Sequence, residues 1–585
     1  MQGAEEEWSQ GIRFSNRSRA KSAGRTSELA SASVKMKPTN MVLQIDPARP
    51  TVKLPSHGKV VGISIPEETL RPRPVEAFLG IPYAIPPVGE RRFRPAEKLP
   101  PTPDNILDAS KYGPSGPGKQ LLSGGPKLIY SEDCLTANVF RQAGSVEEGK
   151  LLPVAIYIHG GAFNRGTASM HNTASMMAWS EEPFLAVSFN YRIGALGFLP
   201  SGLSAKEGVL NLGLKDQIVL FEWVQENIEA FGGDRDNVTL VGLSAGAHSI
   251  GHHLMHYSEG VKPLFNRVII ESGAATSRAV RPYDAPVHEA QFKDFLAAAG
   301  VPADLAEDKV FSFLRSQPTE IIQEAQIAVF DKYNPSLKWA FQPVIDGEVI
   351  PRPPLDSWRQ GKWHKVPIMT GFQRNEGSLY VNKAMSKSNE FVDFFRNLLP
   401  LLSEEDLATI DKLYPDPATI STSPYVEDRE GVGAQYKRIE AAYGHYAYVA
   451  PVRQTGEFAS ESVPVYVYQW AAISTVLNGA QHADNMRYEV CDPKVMAVSK
   501  NQAELAKTLN SYVTNFIAKG DPNAGGGEKP RWGVYKKEAP MAMVFGLDNE
   551  ELIGGGLGKA ATFTDDSWGR KESEFWWSKV DLSQQ

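Results

Sequence analysis

A serine hydroxyl becomes a nucleophile when the chain around it bends sharply, and residues 238–255 have the sequence of such a bend. The apolar run Val238–Val241 leads into Gly242-Leu243-Ser244-Ala245-Gly246 and then into the helix-forming stretch Ala247–Met255. Strand, tight turn and helix give a G-x-S-x-G serine its role: glycines stand where side chains would collide, and the hydroxyl is raised above a sheet edge. The turn also sets the Ala245 N–H at a helix start, where unpaired donors and the helix dipole favour negative charge. Such a serine is suited to attack on a carbonyl carbon, and the oxyanion that forms needs further N–H donors. The segment His159-Gly160-Gly161-Ala162-Phe163 ends another apolar run, Leu152–Ile158. Its small residues let backbone N–H groups approach a developing charge closely.

A second set of side chains could bind a metal. His248, His252 and His256 step by four, so on a helix they share one face, as zinc-binding histidines can. The glutamate of H-E-x-x-H is missing, and a helix that follows a nucleophile turn packs into the fold. The three are read as ordinary histidines, with neither metal nor cofactor expected.

These residues need a scaffold that holds strand ends level. Short apolar runs bounded by Gly, Pro or Asn recur at 152–158, 184–189, 238–241, 268–270, 366–369 and 463–468, the pattern of buried strands in a mainly parallel sheet. Between the second and third, Leu214, Ile218, Phe221, Val224, Ile228 and Phe231 step by three or four before Gly232 and Gly233, which predicts a helix and hence a βαβ unit. The fold class is therefore α/β, a large twisted sheet with helices on both faces, whose ligands lie outside the carboxyl ends of the strands. Residues 280–354 and 385–452 are charge-rich and helical in character and interrupt the strand series. They are read as helical insertions over the site in one catalytic domain spanning 41–585, preceded by a disordered tail, 1–40. The Pro- and Gly-rich stretch 112–126 reads as a long loop.

At this point the chain resembles the type-B carboxylesterase and lipase family, α/β hydrolases that include the cholinesterases. The likeness covers about residues 52–535 and rests on linked motifs in family order. They are Phe78-Leu79-Gly80-Ile81-Pro82-Tyr83-Ala84, Ser131-Glu132-Asp133-Cys134-Leu135, Asn190-Tyr191-Arg192-Ile193-Gly194, Asn211-Leu212-Gly213-Leu214-Lys215-Asp216-Gln217 and Phe231-Gly232-Gly233-Asp234. The resemblance implies a triad of Ser244, Glu376 from Gly371-Phe372-Gln373-Arg374-Asn375-Glu376-Gly377, and His482 from Asn478-Gly479-Ala480-Gln481-His482-Ala483-Asp484. It implies oxyanion donors on Gly161, Ala162 and Ala245, with Gly160 shaping their turn and Ser272 supporting the triad. Serine, acid and histidine fall in the chain order of an α/β hydrolase. The implied reaction is hydrolysis of a carboxylic ester through an acyl-enzyme. The same motifs admit an acyltransferase, in which an alcohol intercepts the acyl group. Adhesion relatives that have lost the nucleophile are disfavoured by the presence of all three triad residues.

Departures from the family pattern narrow the expectation. Leu243 stands where many relatives carry glutamate, and residues 95–130 lack the tryptophan with which cholinesterases hold a quaternary ammonium. A small-molecule ester that is uncharged and partly apolar is expected. Only Cys134 and Cys491 occur, so the disulfide that extracellular relatives form upstream of Cys134 cannot form. Residues 1–40 show no apolar core of a secretory signal, and a cytoplasmic location is the expectation. The net charge of −7 offers nucleic acid no attraction, and no apolar run is long enough for a membrane span. Oligomeric state is left open.

Overall fold

The computed structural model describes residues 46–121, 128–278 and 280–583. The expected tail, 1–40, and part of the 112–126 loop lie outside them. Pro47–Gln585 make one compact unit.

Among the described residues the main sheet has eleven strands: β1 (Ile63–Ile65), β2 (Val75–Pro82), β3 (Thr136–Gln142), β4 (Leu152–Ile158), β5 (Leu185–Phe189), β6 (Gly233–Leu243), β7 (Arg267–Glu271), β8 (Ile368–Gln373), β9 (Val465–Trp470), β10 (Met541–Leu547) and β11 (Lys559–Asp565). Across the sheet the order is β1-β2-β3-β5-β4-β6-β7-β8-β9-β10-β11. From β5 to β10 all neighbours are parallel. Antiparallel strands close both sides, β3 with its neighbours and β11 against β10. A small separate sheet pairs Thr51–Leu54, Gly58–Val61 and Ile106–Asp108.

The chain passes from β4 to β5 on one side and then returns to β6 on the other, so the order reverses at β4. A crevice opens at such a reversal, outside the strand carboxyl ends. The registers bring those ends level: Ile158 lies opposite Gly242, Leu243 opposite Glu271, Glu271 opposite Gly371 and Gly371 opposite Tyr468.

Alternation along β4 sends Val154, Ile156 and Ile158 to one face and Ala155 and Tyr157 to the other. Helices α1 (Leu212–Asn227) and α2 (Ala245–Met255) contribute to the first core, and α3 (Lys500–Lys519) covers the second with Leu505, Leu509, Val513 and Phe516. A third apolar cluster joins Phe391, Phe395, Ile410, Ile439 and Tyr443, from helices Ser388–Leu398, Glu404–Leu413 and Tyr436–Gly444, with Tyr414 at the end of the second. Residues 280–354 hold helices Pro286–Ala298, Glu307–Ser316 and Thr319–Tyr333.

Three of the boundaries that differ from the periodicity have a local cause. β8 and β9 begin after Pro367 and Pro464, which lack an N–H for the ladder; their carbonyls accept from Val268 and Ile368. The helix expected through Phe231 ends at Asn227, and Ile228–Phe231 tighten into a 3-10 turn that stops at Gly232, φ 93°.

Candidate functional site

Ser244 sits between β6 and α2 with φ 59° and ψ −122°, a conformation that costs a non-glycine residue roughly 1–3 kcal/mol. Its N–H donates to Glu271 O at 2.9 Å, and its carbonyl accepts from His248 N at 2.9 Å, so β7 and α2 hold the turn from both sides. The flanking glycines are required by space. A Cβ on Gly246 would fall 2.0 Å from Ile158 O, and one on Gly242 would fall 2.7 Å from Gly246 C. The turn after β4 presses against this one: a Cβ on Gly160 would lie 2.6 Å from Leu243 O and 3.0 Å from Ser244 Cβ. Beyond it Gly161, Ala162 and Phe163 all have positive φ, at 115°, 56° and 61°. Asn164 N and Arg165 N donate back to Gly161 O, and Gly194 N donates to Phe163 O. The N–H of Ala245 opens α2 and has no helical acceptor.

Glu376 and His482, 106 residues apart, meet above β8 and β9, with His482 Nδ1 2.5 Å from Glu376 Oε2. The other carboxylate oxygen accepts from Gln373 N at 2.8 Å. Because Nδ1 faces the carboxylate, the neutral ring carries its proton there and presents Nε2 as an acceptor. That Nε2 is buried and has no protein partner, so Ser244 and His482 are not hydrogen-bonded to each other in this structure. The rings of Tyr448 and Tyr380 pack on the imidazole at centroid distances of 4.9 and 5.4 Å.

Several residues that the sequence reading did not single out hold this pair. Asn375 N donates to Ala480 O at 2.9 Å, and Asn375 Oδ1 accepts from Ala480 N at 3.0 Å. Gly479, φ 65°, lets the loops approach, since a Cβ there would lie 2.3 Å from Asn375 Oδ1. Gln373 Nε2 donates to Ser272 Oγ at 3.1 Å and to Asn485 Oδ1 at 2.7 Å. Ser272 therefore reaches Glu376 only through Gln373. Behind it, Glu271 Oε1 accepts from Asn485 Nδ2 and from Tyr468 OH, each at 2.7 Å. Burial and the neighbouring Glu271 raise the Glu489 carboxyl well above the usual range, so it keeps a proton to share with Glu271. Glu440 is a further buried acid, hydrogen-bonded to Asn375; burial raises its pKa to about 8 and Glu376 adds to the rise.

The three spaced histidines separate in role. His248 Nδ1 lies 3.1 Å from Ala274 O, and His252 is buried, its pKa depressed by burial to about 3. The carbonyl of His256 accepts from His364 Nε2 at 2.9 Å. Cys134 and Cys491 are buried free thiols in the cores on opposite faces of the sheet, each raised by burial. Among the described residues no helix is long and apolar enough to cross a membrane.

Comparison with known proteins gives this geometry its family. The carboxylesterase family model matches residues 48–561. Secreted lipase 4 of Gibberella zeae is 35% identical over 84% of this chain and 89% of its own length. Pyrethroid hydrolase Ces2a of Mus musculus is 29% identical over 83% of this chain and 85% of its own. The crystal structure of Aspergillus niger EstA superposes with a TM-score of 0.76 at 26% identity, covering 92% of this chain and 99% of that one. A doubly wound sheet, a strained serine turn at its reversal and a family match across most of its length lead to one conclusion: the chain belongs to the carboxylesterase family and is a carboxylic ester hydrolase of the α/β-hydrolase fold.

Proposed function

We propose that Ser244 is the nucleophile of this hydrolase, His482 its general base and Glu376 the group that orients the imidazole. The observation that supports it most is the unpartnered Nε2 of His482, whose other nitrogen is engaged by Glu376. Ser244 gives its proton to Nε2 as Oγ bonds to the ester carbonyl carbon, and the carbonyl oxygen becomes an oxyanion. The N–H groups of Gly161, Ala162 and Ala245 are its donors, each worth about 2.7–4 kcal/mol of barrier. Collapse expels the alcohol, which takes the proton from His482 and leaves an acyl-enzyme. Water, deprotonated by His482 in turn, releases the acid and frees Ser244. Ser272 and Gln373 act behind Glu376, Gly160 lets the two turns approach, and the helices of 280–354 and 385–452 are insertions within one catalytic domain.

Leu243 removes a negative charge from beside Ser244 and so disfavours cationic esters. The cytoplasmic expectation rested on the missing disulfide and on residues 1–40 without an apolar secretory core; a relative named as a secreted lipase gives it no support.

Ser244→Ala tests the reading. Turnover of 4-nitrophenyl butyrate should fall roughly 10⁴-fold or more, and labelling by a fluorophosphonate should cease. Undiminished turnover, or an adduct on another residue, would refute the assignment.

A further inference from the structure

Near the Ser244 turn lies a narrow cleft with room for about 70 Å³, partly open to solvent. It adjoins the nucleophile through Phe163, the residue after Ala162, and through His248, whose N–H donates to Ser244 O. Arg278, Arg281 and Lys338 stand in its walls, and among the described residues no aspartate or glutamate lines it. Arg278 and Lys338 together give this partly enclosed cleft a positive potential that favours a negative group.

Arg278 is held in place. Its guanidinium carbon lies 3.9 Å from the centre of the Trp339 ring, and Nη2 donates to Tyr448 OH. Tyr448 in turn packs on His482 at 4.9 Å between ring centroids, so the guanidinium is one ring away from the proposed base. Its backbone has φ 62°, a left-handed conformation that arginine adopts only under constraint. Its Nε is nonetheless buried without a partner, as are Ser277 Oγ, His248 Nε2, His252 Nδ1 and Trp339 Nε1 around the same cleft. Burial holds both histidines neutral. Arg Nε and Trp Nε1 can only donate, and the hydroxyl and imidazoles can do so. Each buried polar atom left unpaired costs about 1–3 kcal/mol; one acceptor, Gln291 Oε1, stands against these donors in the same walls, so the group fits a ligand richer in acceptors than in donors. Val280, Val287, Leu337 and Leu398 complete the wall and suit a short hydrocarbon spacer.

We propose that the ester this enzyme hydrolyses carries a carboxylate, seated against Arg278 and Lys338 in this cleft. The inference rests on the Ser244 reading above and replaces the uncharged ester expected from the sequence. Leu243 and the absent tryptophan are common to both, since each disfavours only cations.

The test compares kcat/KM near neutral pH within two matched pairs. In 4-nitrophenyl hydrogen glutarate against 4-nitrophenyl pentanoate the carboxylate is on the acyl side; in 4-acetoxybenzoate against phenyl acetate it is on the alcohol side. In one pair the anion should be preferred roughly tenfold or more, as expected for a charge-assisted bond. Added salt should erode that preference while leaving the neutral ester unaffected. Arg278→Met should remove most of it. Should Arg278→Met fail to fold, Lys338→Gln, at a half-buried position, and the salt dependence of the unaltered protein decide. If neutral esters are hydrolysed through Ser244 and neither anion is preferred, the proposal falls and the nucleophile assignment stands. If no ester is turned over and no fluorophosphonate adduct forms, both fall.

Discussion

Replacing Glu440 by glutamine should stabilise the protein at alkaline pH and change little at acid pH. Glu440 is buried among residues that pack behind Glu376, the proposed triad acid: a Cβ on Gly377 would lie 2.0 Å from Glu440 O. Its Oε1 has no hydrogen-bond partner. Burial is the main cause that raises its pKa from 4.5 to about 8; Arg429 and Lys437 pull it down, and Glu376 pushes it up. Below about pH 4.5 both the folded and unfolded chains carry the proton, and the group does not distinguish them. As pH rises from there to about 8, the unfolded chain ionises while the folded one keeps its proton, so stability falls across that window and levels above it. At 1.36 kcal/mol for each pH unit, the loss by pH 8 is on the order of 3–5 kcal/mol. Glutamine keeps a neutral side chain able to bond Asn375 and has no proton to lose. Urea unfolding midpoints of the two proteins should coincide near pH 5 and separate steadily towards pH 8, with Glu440→Gln the more resistant. A difference that does not depend on pH would refute the reasoning, since Glu440 would then be ionised in the fold and paired with Arg429 or Lys437.

Two further outcomes follow from the geometry. Ser244→Gly should be inactive yet unfold at higher urea than Ser244→Ala, by about 1 kcal/mol, because glycine accepts φ 59° at an entropic cost smaller than the strain; equal midpoints would mean the turn is unstrained. Asn375→Ala removes the acceptor for Ala480 N and should lower kcat roughly tenfold with KM little changed; a rise in KM alone would show that Asn375 acts on substrate rather than on the two loops.

The serine turn was legible because its constraint is local. Gly242, Ser244 and Gly246 must sit within five residues for the strand to become a helix at Ile158, and the Gly160–Phe163 turn carries the same signature. The central parallel strands were legible because, buried on both faces, they are continuous apolar runs; the prolines at 367 and 464 moved two of the edges, and β10 was not read. Glu376 and His482 have no such local mark. A glutamate before glycine and a histidine in a polar loop acquire meaning only when two strand ends bring them together, and the family likeness located them. Gln373, Asn375, Asn485 and the Glu271–Glu489 pair could not be read, because polar residues follow no period when they are buried in a network. Arg278 was equally hidden: nothing in its neighbours signals an arginine held in a left-handed turn.

On the proposed roles, the meeting of Glu376 with His482 across 106 residues also sets when the enzyme first becomes able to act. A ribosome adds about 5–20 residues per second, so a nascent chain that already displays the Ser244 turn waits on the order of 5–20 s between the emergence of the acid and that of the base. Through that interval β8 lacks β9, its parallel neighbour, and the serine has no imidazole to take its proton. Parallel pairing of distant segments is slow, which extends the delay. With those roles the chain is inactive until His482 has emerged, a latency that comes from the order of the strands rather than from an inhibitory segment.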